Sequence, residues 1–477
     1  MKFSKKVISS ITVLIATGVF SQFAYPASDS QAEVALENER LALNSADNAL
    51  IQLANSLTRN NINRNNISKA LSLLDKHWQA AYIAPLLEIL SLNGTSTTAR
   101  KIINLLEKRT GKEFNNNTNK WYFWLWNEPE NIVSYYADLK ATLYQQVDPK
   151  FNQYFRGRQK QAAIRLDEIR WGGVVQDGIP PLRYPKMLIA ENANYLADDN
   201  IVFGIEVNGD ARAYPKRILA WHEMFVDSIG GIEIAGVYCT LCGTVIPYKT
   251  TANGIQYDLG TSGFLYRSNK LMYDQKTQSL WSTVKGEPVV GPLVNKGIAL
   301  EHIGVVTTTW GEWKRRHPKT KVLSLDTGYR RNYGEGVAYN AYFSTDQLMF
   351  NTPFIDTRLN NKQEVLALRF FASPKEQLAI DTDFLSKNWL YKTNIGRQKL
   401  LILTDLSGAN RVYDPKEVDF VSYDQDSTLV DSTGEQWILE EHSLVAKKSN
   451  RKLTSLPYRR AFWFGWHAVF PETKLIK

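Results

Sequence analysis

Ile201-Val202-Phe203-Gly204-Ile205-Glu206-Val207-Asn208-Gly209-Asp210-Ala211-Arg212-Ala213-Tyr214 is the stretch whose pattern decides the fold class. The run Ile201–Val207 is rich in β-branched and aromatic side chains, and a second strand-like run follows Asn208-Gly209. Asn-Gly supplies the two positive-φ positions of a two-residue hairpin turn, so the segment predicts strand, turn, antiparallel strand. Downstream, Asn253-Gly254 starts another hairpin, and Ile232–Tyr238 and Gly243–Thr250 read as strands flanking a short connection. Upstream, Trp171-Gly172-Gly173 and Gly178-Ile179-Pro180-Pro181 are breakers at which the β pattern begins. Residues 165–477 therefore read as one antiparallel β-rich domain, a barrel or a sandwich, with inserted segments near 330–360 and 410–450.

Residues 30–164 carry a different period. Ile67, Ala70, Leu71 and Leu74 fall at i, i+3, i+4 and i+7, one face of a helix. Leu86, Leu87, Ile89 and Leu90 form a second apolar segment stopped by Asn93-Gly94, and Ile102, Ile103, Leu105 and Leu106 a third stopped by Gly111. The aromatic run Trp121–Trp126 reads as packing between helices. The expected fold is α+β and multidomain. An all-helical N-terminal module, either an α–α layer or a few HEAT-like repeats, precedes the β-rich domain. The module is also where a protein partner is expected to dock.

At 477 residues the chain exceeds what one core normally organises. Its 44% hydrophobic and 22% charged residues exclude bulk disorder and a multi-span membrane protein. The net charge is +9, but no run of five like charges occurs, so the basic balance reads as a solvated surface and no nucleic-acid partner is expected. Lys2, Lys5 and Lys6 precede the apolar run Val7–Phe20, and the small residues Ala24 and Ala27 follow. Residues 1–27 are expected to be a secretory signal peptide, which implies a periplasmic or secreted protein. An uncleaved anchor is the alternative, because Gln22 or Tyr25 would stand where cleavage prefers a small residue. No cysteine lies nearby for lipoprotein attachment, and no later stretch is long and apolar enough to span a bilayer, so no integral span is expected once the signal is removed.

The chain holds two cysteines, in Val237-Tyr238-Cys239-Thr240-Leu241-Cys242-Gly243-Thr244. Three readings compete. A tight turn presenting two thiolates can hold one transition metal, with His222 as the leading third ligand and Met272, Glu223 or His302 behind it. Cys239, Cys242, His222 and Met272 would form a soft set suited to copper, and a carboxylate in place of the thioether would suit zinc. The pair could instead be a thiol–disulfide redox centre, although a strand rather than a helix follows it. Or it is a structural disulfide bracing a turn in an exported binding protein. The metal reading leads: an exported metalloprotein of unspecified reaction. Catalysis would draw on Glu223, as a base or to orient the imidazole, and on Asp274 and Arg212. Arg212 could equally pair with Asp210 or Glu206. His222-Glu223 lacks the second histidine of a zinc protease, and Gly260-Thr261-Ser262-Gly263 has neither the lysine of a phosphate loop nor a nucleophile elbow.

Several ordered motifs resemble one family. They are Arg165–Val174, Asp177–Pro181, Ala211–Pro215, Trp221-His222-Glu223, Tyr238–Gly243, Met272-Tyr273-Asp274, Ser279-Leu280-Trp281 and Ala461–Trp466. The chain resembles DUF3179, a family of unknown function, over about residues 165–475. It departs at Thr240, where the family has Pro, at Arg267, where Asn is usual, and at Gln275, where Arg is usual. The resemblance implies that 165–475 is one domain and the helical part an added module. It supplies no activity.

Overall fold

The computed structural model describes residues 45–57, 64–94, 96–370 and 373–477. The expected signal peptide, residues 1–27, lies outside them. The fold is α+β: helices dominate up to Phe155 and strands dominate beyond Ile169. Among the described residues, no helix is long and apolar enough to cross a membrane.

The helices Ser45–Leu57, Arg64–Lys76, Ile83–Asn93, Thr97–Thr110, Thr118–Asn127 and Tyr136–Tyr144 pack through the faces marked by their apolar periodicity. Ile67, Ala70, Leu71 and Leu74 are all buried, as are Leu86, Leu87, Ile89 and Leu90. Gly94 and Gly111 follow their helices with φ of 55° and 69°, conformations that a side chain would oppose. At the centre lies a fully buried carboxylate, Glu88. It accepts from Lys140 and from the hydroxyls of Tyr136 and Tyr144. Lys140 also donates to the Ile169 carbonyl at 2.7 Å, on the first strand. Tyr144, Phe151, Tyr154 and Phe155 surround Phe264 with ring centroids 4.7–6.0 Å from its own. Helices and strands thus share one hydrophobic core at this junction.

The strands are divided among sheets of two to five strands. Pairing is antiparallel except where Leu182–Arg183 meets Met224–Ile229, Asp210–Pro215 meets Lys321–Leu323, and Gln377–Asp381 meets Lys474–Ile476. The hairpin of Ile201–Val207 and Asp210–Pro215 turns at Asn208-Gly209, whose φ values are 50° and 82°. Asn253 and Gly254 do the same at 51° and 74°. The segment 324–363 is mostly irregular, with one short helix at Asn340–Phe343. Residues 420–454 form a separate meander of five strands.

Candidate functional site

Strands Ile232–Cys239 and Thr244–Lys249 pair with Cys239 opposite Thr244, so the cysteines sit on the turn itself. The turn closes through Cys242 N–H to Cys239 O at 3.1 Å. Gly243 leaves it with φ of 60°, and a Cβ there would lie 2.8 Å from the Phe462 ring. Cys239 and Cys242 form a disulfide, with Cα atoms 5.2 Å apart. The residues are only 3% and 1% exposed, inside a cluster of Leu241, Leu265, Tyr342, Phe462 and Phe464. The Tyr342 hydroxyl donates to Leu241 O at 2.8 Å and Phe462 N–H to Cys242 O at 2.8 Å, pinning this cover.

This geometry overturns the metal reading. The sulfurs are bonded to each other, so neither is a thiolate ligand. His222 spends both ring nitrogens elsewhere, Nδ1 against Pro180 O at 2.9 Å and Nε2 against the Tyr333 hydroxyl at 2.5 Å. Met272 is fully buried in a different cluster, with Trp281 and Tyr257. His302 faces the Arg369 carbonyl and the Tyr248 ring. Among the described residues, no group of three or more His, Cys, Asp or Glu is placed to hold a metal ion. The copper or zinc site expected at Cys239, Cys242, His222 and Met272 has no ligand set.

The three catalytic candidates are dispersed. Glu223 ends the helix Lys216–His222 in a left-handed conformation. Its buried carboxylate accepts from Lys270 and, at 3.2 Å, from the Tyr339 hydroxyl. Burial, reinforced by Glu223, holds the Tyr339 phenol well above its usual range. Arg212 pairs with Asp210 at 2.8 Å and Asp227 at 2.6 Å. Asp274 accepts from Thr277 N–H and hydroxyl, Ser279 N–H and Trp281 Nε1, and so fixes the turn before Leu280–Ser282. All three are partnered groups, Glu223 and Arg212 by other side chains and Asp274 by backbone as well.

His222 belongs to a second place. The helix Lys216–His222 grips the loop Leu325–Gly334 with three side chains. Arg217 Nε donates to Tyr333 O, Trp221 Nε1 to Asn332 O at 2.8 Å, and His222 meets the Tyr333 hydroxyl. Within the loop, Thr327 Oγ1 lies 2.6 Å from the Tyr333 hydroxyl and Asn332 Oδ1 accepts from Gly334 N–H. Burial, more than the nearby Arg331, lowers the His222 pKa, so the imidazole is neutral. The loop walls an open groove of about 660 Å³ lined by Arg217, Tyr329, Arg330, Arg331, Asn332 and Tyr333.

A family model described as a protein of unknown function, DUF3179, matches residues 176–473, well over half of the chain. The chain belongs to the DUF3179 family. No curated protein and no solved structure matches it.

The DUF3179 match takes in both the cysteine turn and the groove, and leaves out the helices that precede it. Within this DUF3179 chain, sequence reading found His222 but not the loop that it holds. The signal was present in Gly328-Tyr329-Arg330-Arg331-Asn332-Tyr333-Gly334, two adjacent arginines between tyrosines and bounded by glycines. It also missed Lys270, the partner of Glu223, because a lone lysine on a strand carries no motif.

Proposed function

We propose that this DUF3179 chain is an exported binding protein whose Cys239–Cys242 disulfide braces a β-turn. The observation that carries this reading is the enclosure of the disulfide: Leu241, Leu265, Tyr342, Phe462 and Phe464 cover sulfurs that an exchanging thiolate would have to reach in line. A disulfide suits an oxidising compartment, and the basic-then-apolar N-terminus supports export to the periplasm or beyond. The brace holds the end of the strand pair against Ala461–Gly465, where a Cβ on Gly465 would lie 3.0 Å from the Cys242 Cβ.

The test is thiol accessibility. The native protein is treated with a dithiol reductant and an alkylating reagent, with and without denaturant. Labelling of both cysteines is expected only in denaturant. Rapid labelling of the native fold would replace this reading with that of a thiol–disulfide redox protein.

A further inference from the structure

We infer that the groove beside the loop Leu325–Gly334 binds the oxyanion, phosphate or carboxylate, of a ligand through Arg330 and Arg331. The inference deepens the binding-protein reading and rests on it.

Three observations converge. First, Arg330 and Arg331 are adjacent, exposed cations, and among the described residues neither forms an ion pair. The acidic residues in and next to this loop are turned elsewhere: Glu335 lies 3.8 Å from Arg217, and Asp326 pairs with Lys186 at 3.1 Å. Arg331 Nη1 donates only to the Arg330 carbonyl, at 3.4 Å, so both cations keep charge that an anion in the groove would neutralise. Second, the loop is held in place before any ligand arrives. Arg217, Trp221 and His222 clamp its far end, and Thr327 joins its near end to Tyr333. A loop already ordered loses little entropy on binding, which separates it from a surface where arginines merely wave in solvent. Third, the loop walls a shallow, open groove of about 660 Å³, wide enough to admit a small anionic group from solvent. Tyr329, 44% exposed, lines the same groove, with its ring 5.2 Å from that of His222. Exposed arginine forks lining one groove with an aromatic ring suit a planar, bidentate oxyanion attached to a carbon skeleton.

The experiment is titration calorimetry on the full chain at low ionic strength, with inorganic phosphate and with citrate. A parallel sedimentation assay uses vesicles of phosphatidylglycerol, with phosphatidylcholine vesicles as blank. The variant R330Q/R331Q removes both forks. K447Q/K448Q removes the same charge from an exposed turn outside the groove. R330K/R331K keeps the charge without the forks. Saturable binding is expected, weakened at least about tenfold by R330Q/R331Q, partly by R330K/R331K and not by K447Q/K448Q. Binding of phosphate or citrate assigns a free solute; sedimentation with phosphatidylglycerol alone assigns a lipid headgroup. No saturable binding to any probe, or equal losses in the two charge-removing variants at matched melting temperatures, would overturn the inference. That failure is separate from failure of the binding-protein reading, which is decided by native thiol labelling.

Discussion

The Tyr333 hydroxyl donates to His222 Nε2 at 2.5 Å. The direction follows from the other nitrogen, since Nδ1 faces the Pro180 carbonyl, which only accepts, and must carry the ring proton. Thr327 then donates to the Tyr333 oxygen at 2.6 Å, completing a line of bonds from the loop to the Gly178–Pro181 breaker segment. Tyr333→Phe leaves Nε2 buried without a donor. The expected cost is about 1–3 kcal/mol, read as a lower urea midpoint at unchanged slope. Weaker anion binding should accompany it, because the loop loses an anchor.

Acid stability follows from three histidines. Burial lowers the pKa of His222 and of His467, and pushes that of His302 down to about 3. Because the folded values lie below the unfolded value near 6.5, the unfolded chain takes up protons first as pH falls. The stabilisation is complete above about pH 6.5 and is lost as pH falls through the folded values. Burial alone would raise Asp424 and Asp431, but hydrogen bonds from their own turns hold both below 3.8, so their contribution is lost only at lower pH. Urea midpoints should therefore fall between about pH 6.5 and about pH 4, and His302→Gln should flatten that fall. A midpoint constant over that window would contradict the burial assigned to His302.

Removal of the disulfide tests the brace energetically. The bridge closes a loop with a sequence separation of only 3, for which chain entropy gives about 2 kcal/mol. C239A/C242A should lower stability by about that amount and leave far-ultraviolet circular dichroism unchanged. Anion binding at the groove should persist, since His222 and its loop take no contact from the sulfurs. Loss of the whole fold would mean that the turn organises more than its own corner.

Hairpins and helix faces were legible because their determinants are local: Asn208-Gly209 needs no distant residue to turn, and Ile67 to Leu74 mark a face by spacing alone. The chemistry of Cys239-x-x-Cys242 was not. The same short motif serves a metal and a disulfide, and the deciding facts are remote in the chain. The imidazole of His222 is taken by Pro180, 42 positions away, and Tyr333, 111 positions away. Proximity in sequence made His222 the natural third ligand, while tertiary pairing turned it toward another loop. The groove escaped for the same reason, since its clamp joins the helix Lys216–His222 to a segment that carries almost no regular structure of its own.

Behind Cys242 a small enclosed space tests the packing argument from the opposite side. A cavity of about 10 Å³ is lined by Cys242, Thr244, Asn269, Arg459, Gly465 and Trp466 among others. Thr244 Oγ1 and Asn269 Oδ1 are buried there and meet no protein partner. Arg459, 2% exposed, donates to the Val284 carbonyl at 2.9 Å, and its guanidinium lies 5.1 Å from the Trp466 ring centroid. Burial lowers its pKa to about 10. A space of this size is at the lower limit for one water, which would donate to Asn269 Oδ1 and accept from Thr244 Oγ1. The sign of Thr244→Val decides the matter. If a water bridges the two groups, losing its hydroxyl donor should cost about 1 kcal/mol. If the space is dry, the same substitution removes an unpaired buried hydroxyl and should raise stability. Destabilisation is the expected result, with an ordered water between Thr244 and Asn269 in a high-resolution crystal structure.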